Sequence, residues 1–234
     1  MVEARYDAVA DFYEAGFADS PSDPATAALL ALTGDVSGKR VLDVACGHGR
    51  MSRLLADRGA EVVGVDLSAA LIDKAQAAER AQPRGIRYLR ADVTSPDWLD
   101  GVPFDAAACH FGLSDIDDLD GALAHVARAT KPGGQFVFAI LHPCFAGGQN
   151  VAGAWPTNGS YYDERWWLPD DALSTLRRQV GVNHRMLSSY LNALRRHDLH
   201  LDEVAEPAPE AEWAAGRSDC SGQPVYLVAR CIRQ

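Results

Sequence analysis

Apolar positions along this chain alternate between short continuous runs and stripes with a helical period. Arg40–Ala45 (RVLDVA) predicts a strand. His48–Arg58 predicts a helix with Met51, Leu54 and Leu55 on one face and Gly59 at its end. Glu61–Asp66 (EVVGVD) predicts a second strand, and Ser68 caps a helix that runs to about Arg80. Ile86–Ala91 and Phe104–Cys109 predict a third and a fourth strand. A helix is expected from Asp118 to Ala129, where Leu119, Leu123, Val126 and Ala127 share a face. Thr130-Lys131-Pro132-Gly133-Gly134 reads as a turn into a buried fifth strand, Gln135–Leu141. Continuous apolar strands alternating with helices imply a parallel sheet covered on both faces.

The flanks read differently. Residues 2–17 and 24–33 predict two helices separated by Ser20-Pro21-Ser22-Asp23-Pro24, with Asp23 as N-cap and Pro24 at the first helical position. Between Pro143 and Val182 the periodicity fails while Gly, Pro and aromatic residues accumulate, which suits an inserted lid or substrate segment. A helix from Arg185 to His197 follows, then strands Leu199–Val204 and Val225–Cys231. With no good helix between them, these two strands suit an antiparallel hairpin. One domain is expected: residues 1–36 a helical lid, 37–142 the core, 143–184 the insertion, and 185–234 the closing helix and hairpin.

Composition narrows the class. With 234 residues, 47% of them hydrophobic, the chain can bury one substantial core. A net charge of -10, from 22 basic and 32 acidic residues, argues against a nucleic-acid partner. Arg177, Arg178, Arg185, Arg195 and Arg196 then read as solvated helix faces. The five cysteines include no C-x-x-C pair, so no structural metal is expected. The first residues lack a signal-peptide pattern and no apolar run is long enough to cross a bilayer, so the expectation is a reduced, cytoplasmic protein without a membrane partner.

Candidate chemistry concentrates where the first strand meets its helix, in Val41-Leu42-Asp43-Val44-Ala45-Cys46-Gly47-His48-Gly49-Arg50. Gly47 and Gly49 allow a sharp turn and close approach of a ligand. Asp43, Asp66 and Asp92 stand at or beside the carboxyl ends of three successive strands, where an open α/β sheet binds its ligands. Asp66 there can accept paired hydrogen bonds from ribose hydroxyls, and Asp92 a bond from an adenine amino group. NAD fits poorly. Its fingerprint needs a third glycine opening the helix, and Asp43 would repel a pyrophosphate while suiting a cationic ammonium.

From Lys39 to Ile140, through VLDVACGHGR, VVGVDLS, RADVTSP, FDAAACHFGL and TKPGGQFVF, the chain resembles the class I S-adenosylmethionine-dependent methyltransferases, of bacterial small-molecule type. The resemblance implies a Rossmann-like α/β fold, a seven-stranded, mostly parallel sheet with an antiparallel last strand. It also implies that the loop Ala45–Gly49 cradles the methionine moiety and that Asp66 binds ribose. Leu67 would contact adenine, Asp92 and Val93 would hold the adenine edge, and His110 and Phe111 would line the cofactor near its methyl group. Ala45 stands where the family's loop usually has its first glycine.

Displacement at the methyl carbon needs orientation above all, and a base only where the acceptor must lose a proton. His142, directly after the fifth strand, is the first candidate base, and His184, entering the last helix, the second. His48 reads as structural. Trp155, Tyr161, Tyr162, Trp166 and Trp167 crowd the insertion and can stack on a planar acceptor, pack a homodimer interface, or form the insertion's own small core. Tyr161, Trp166 and Trp167 are the substrate candidates there, and Tyr6 and Tyr13 those on the N-terminal lid. Asp115, Asp117 and Asp118 read as N-terminal charge on the next helix rather than as metal ligands. The expected reaction is methylation of a small, aromatic or amine-bearing acceptor at O or N. The alternatives are an NAD-dependent oxidoreductase, a non-catalytic S-adenosylmethionine-binding protein, and, as a lesser variant, a peptide or protein methyltransferase.

Overall fold

Strand β1 (Arg40–Val44) lies inside a seven-stranded sheet, between β2 (Glu61–Asp66) and β4 (Phe104–His110), parallel to both. β3 (Arg87–Arg90) closes one edge. On the other side follow β5 (Thr130–Leu141), then β7 (Tyr226–Arg233) and β6 (Leu199–Ala205), giving the order β6-β7-β5-β4-β1-β2-β3. β7 runs antiparallel to both β5 and β6, as the hairpin reading expected. The computed structural model describes residues 4–17, 23–98, 101–148, 151–156, 158–169, 176–215, 217 and 220–234. The expected helix start at Val2 and the linker residues Ser20, Pro21 and Ser22 lie outside them.

Alternation along the strands supplies two cores. Leu42, Ala107, Phe136 and Phe138 face one layer, closed by Leu123 and Val126 of α5 (Leu119–Ala129) and by Tyr190 and Leu194 of α7 (Leu187–Arg196). Val41, Ala106, Ala108 and Val137 face the other, against Leu29 of α2 (Pro24–Thr33), Leu55 of α3 (Arg50–Ala56) and Ile72 of α4 (Ala69–Ala81). Local signals set the helix ends. Asp23 accepts from the Thr26 N–H at 2.8 Å, Ser68 from Leu71 at 3.1 Å, and Asp118 from Gly121 at 2.9 Å. Gly59 adopts φ +84° while Ala60 donates to the Leu55 carbonyl, a Schellman ending.

Four elements depart from the sequence reading, each through a tertiary contact. The first helix, α1, is regular only over Ala10–Phe17, preceded by a 3-10 turn at Asp7–Val9. There Asp7 is drawn to α4, accepting from Ser68 Oγ at 2.6 Å and the Ala70 N–H at 3.1 Å. α7 starts at Leu187 rather than Arg185, because the Arg185 guanidinium donates to the carbonyls of Leu113, Ile116 and Asp117. The expected turn Thr130–Gly134 is instead a bulged start of β5: the register jumps from Phe104–Thr130 to Ala106–Gln135. The insertion carries two small antiparallel ladders, Gly147–Gly148 with Val151–Ala152 and Arg165–Trp167 with Val182–His184, and the short helix α6 (Arg177–Val180).

Candidate functional site

Strand order reverses between β1 and β4, and a cavity of about 740 Å³ opens beyond the carboxyl ends there. That is within the roughly 300–1,000 Å³ of small-molecule sites. Its wall carries Asp43, Ala45, Gly47, Asp66, Leu67, Asp92, Val93, His110 and Phe111. Gly49 is not on it. A Cβ at Gly49 would lie 2.3 Å from the Tyr88 hydroxyl oxygen, so this glycine serves packing behind the loop.

Charge at the strand ends is tightly managed. Burial pushes the Asp43 carboxyl up to about 7, against a 2.5 Å hydrogen bond from Ser52 Oγ, and the nearby Asp66 adds to the rise. Burial likewise pushes Asp66 up to about 6, although the N–H groups of Ser68 and Gly47 each donate to it at 2.8 Å. Asp92 accepts from the Thr94 N–H at 2.9 Å and its hydroxyl at 2.7 Å, closing the turn after β3.

His48 is a polar residue of the wall whose ring is left without hydrogen bonds among the described residues. Both ring nitrogens are buried without a hydrogen-bond partner, and burial lowers its pKa to about 4. A buried unpaired donor or acceptor costs roughly 1–3 kcal/mol. Polar groups of a ligand in the Ala45–Gly49 loop can remove that cost, so the residues present fit a ligand with such groups.

The N-terminal segment covers this part of the cavity. Tyr13 packs edge-on against His48 with centroids 5.3 Å apart and against Tyr6 at 5.4 Å. Tyr6 donates to Asp115 Oδ2 at 3.0 Å, and Lys74 of α4 pairs with Asp11 and Glu14 of α1, each at 2.7 Å. Both tyrosines line the cavity. Besides the strand-end carboxylates the wall carries Phe111, Leu141, Phe145, Val151, Val225 and Tyr226, together with further charged residues, among them Asp115, Arg177, Glu210 and Arg217.

The two histidines singled out as bases sit elsewhere. His142 is buried and outside the cavity wall. Its Nδ1 accepts from the Cys144 N–H at 3.0 Å and its Nε2 meets Glu206 at 2.9 Å, so both nitrogens are engaged. His184 is also off the wall, bonded to the Tyr161 carbonyl at 2.8 Å and flanked by the Trp155 and Tyr161 rings. Tyr161 accepts from the Leu187 N–H, Trp167 donates to the Ala154 carbonyl, and Trp166 lies against Gly181 and beneath Arg5. None of these three rings lines the cavity. Trp155, Tyr161 and Trp167 pack within the insertion, whereas Tyr162 and Trp166 are exposed.

Other wall residues escaped the sequence reading. Arg177, read as a solvated face, lines the cavity and pairs with Asp115. Asp115 and Asp117 bridge to Arg177 and Arg5 instead of serving the helix terminus, which Asp118 alone caps. Phe145 and Tyr226 also line the wall, Tyr226 packed against the small apolar cluster that contains Phe145. The nearest available signal was position: each lies within a few residues of a strand end.

Comparison with known proteins agrees with this layout. A family model described as a methyltransferase domain matches residues 42–138. A demethylmenaquinone methyltransferase of Renibacterium salmoninarum is 34% identical over 184 residues, covering 70% of this chain and 76% of the relative. A ubiquinone biosynthesis O-methyltransferase of Alkalilimnicola ehrlichii is 35% identical, over only 47% of this chain and 44% of that protein. The crystal structure of an S-adenosylmethionine-dependent methyltransferase from Mesorhizobium loti superposes with a TM-score of 0.68 at 27% identity, covering 90% of this chain and 98% of that one. The strand order, the strand-end carboxylates and these similarities together establish that the chain belongs to the S-adenosylmethionine-dependent methyltransferases.

Proposed function

We propose that the chain methylates O or N of a small, aromatic or amine-bearing molecule held against the aromatic and aliphatic residues of the cavity wall. The observation that carries this reading is that one cavity holds both the strand-end carboxylates Asp43, Asp66 and Asp92 and an aromatic and aliphatic group, Phe111, Leu141, Phe145 and Tyr226. The names of the two relatives, which refer to demethylmenaquinone and ubiquinone biosynthesis, support a small-molecule acceptor.

S-adenosylmethionine, when bound, supplies a methyl group on a sulfonium sulfur. In this reading Asp66 takes the ribose hydroxyls and Leu67, Asp92 and Val93 the adenine. Ala45, Gly47 and the unpaired nitrogens of His48 take the methionine moiety. Asp43, behind the loop, favours the cationic end of that moiety over an anion. Tyr6 and Tyr13 exclude water, and His110 and Phe111 line the cofactor near its methyl group. A net charge of -10 supports a non-nucleic-acid acceptor. Five free cysteines support a reducing, cytoplasmic setting.

The test is a panel of phenols, amines, thiols and peptides offered with S-adenosylmethionine, with S-adenosylhomocysteine formation measured for each. Turnover of phenols or amines is expected. Turnover confined to peptides or thiols would refute the reading.

A further inference from the structure

A hydrogen-bonded chain leads from the cap of α2 to the end of β4. Asp23 Oδ2 accepts from the Thr26 hydroxyl at 2.7 Å, and Thr26 Oγ1 lies 2.9 Å from Nε2 of His110. Arg50 also donates to Thr26 Oγ1, at 3.3 Å. A hydroxyl has one proton, and this one goes to Asp23. Thr26 can therefore only accept from His110, which fixes the ring in the tautomer protonated at Nε2. The lone pair is then on Nδ1, which has no hydrogen-bond partner among the described residues and is not among the sealed-off polar atoms. His110 and Asp23 both line the cavity, next to Phe111, while Thr26 is buried behind them.

We propose that Nδ1 of His110 receives the proton of the methyl acceptor, and that Asp23 and Thr26 are positioning residues that keep this lone pair free. The proposal rests on the O- or N-methylation reading. The acceptor's lone pair forms the bond to the methyl carbon, and the sulfur keeps the electron pair of the bond that breaks. The O–H or N–H proton passes to Nδ1 and later to water. Burial lowers the pKa of His110 to about 4, with Asp23 opposing and Arg50 adding to the fall. The ring is thus neutral and ready to accept at neutral pH. A weak base suffices for a phenol or an aryl amine, because a phenolic oxygen that has gained a methyl group while still protonated is strongly acidic and an arylammonium is acidic enough to give up its proton to such a ring.

Two alternatives place the proton elsewhere. His142 has both nitrogens engaged, and His184 is off the wall. An arrangement in which a third group fixes the tautomer of a histidine facing substrate is a recurrent one for proton transfer.

The test uses the full chain, labelled with nitrogen-15 at histidine and saturated with S-adenosylhomocysteine. His110 is assigned from the loss of its signals in His110→Gln. In the wild type, the expected spectrum shows a protonated Nε2 and a bare Nδ1. Thr26→Val should mix the tautomers, and Thr26→Ser should restore the single one. Phenol or aniline, added to saturation, should shift the Nδ1 signal and leave Nε2 nearly unmoved. A protonated Nδ1 in the wild type, or an Nδ1 signal that neither probe moves, would overturn the proposal. Failure of S-adenosylhomocysteine to bind would instead strike the functional reading itself, so the two failures are distinct.

Discussion

The methyl group of Ala45 occupies the space that a side chain on residue 112 would need: a Cβ built on Gly112 would lie 2.4 Å from the Ala45 Cβ. Ala45 holds φ +53°, in the left-handed region that favours glycine. The two positions are thus coupled. Gly112→Ala is expected to cost about 1–3 kcal/mol by overpacking. Ala45→Gly in that background should recover part of the loss, the contact with Cys109 Sγ remaining. Urea unfolding of the two single variants and the double variant measures this coupling. Strict additivity would show that the two residues do not share the space.

Asp66 holds both the glycine loop and the start of α4 through two N–H bonds, and in the proposed role it also takes the ribose. Asp66→Ala is expected to weaken S-adenosylhomocysteine binding by roughly 1.5–3 kcal/mol, the range for bonds to a charged group. Calorimetric titration reads this directly. Unchanged affinity would rule out the ribose contact.

Asp43 and Asp66 make stability depend on pH in an unusual direction. Folding raises both, to about 7 and about 6, above the unfolded carboxyl value. The native protein therefore keeps protons that the unfolded chain has released above about pH 4. The contribution of this pair is most favourable below that pH and is lost as pH rises towards 7. In Asp43→Asn, the decline in urea midpoint between pH 4 and pH 7 should flatten. Binding of S-adenosylmethionine, which brings positive charge and hydroxyl donors, should also release protons near pH 6. Titration in buffers of different ionisation enthalpy counts them, and proton uptake would contradict the assignment.

His142 supports a turn rather than the reaction in this geometry. His142→Asn retains an acceptor for the Cys144 N–H, and turnover should stay well above the 10²–10⁴-fold loss typical of removing a base. A loss of that size, measured with whichever acceptor the panel yields, would restore His142 to the catalytic role.

What the sequence made legible follows from the range of each interaction. Asp23, Ser68, Asp118 and Gly59 act on backbone groups three or four residues away, and their effects on helix ends could be read in place. The strand-end carboxylates were legible because strand and turn are contiguous with them. His142 was misplaced because its partner Glu206 is 64 residues distant, and the direction of a ring is set by its partner. Arg177 looked solvated because Asp115, which draws it into the wall, is 62 residues earlier. The bulge in β5 likewise depends on pairing with Phe104 and Ala106, which no local pattern announces.

Trp155, Tyr161 and His184 of the insertion are in mutual contact, and Trp167 is tied to the Ala154 carbonyl. The insertion's contribution to the cavity comes instead from Phe145 and from aliphatic positions such as Val151 and Val180, together with Arg177. Cavity lining and ring cluster are thereby carried by different side chains of one segment, so a change in the lining residues can reshape the cavity and leave the scaffold intact.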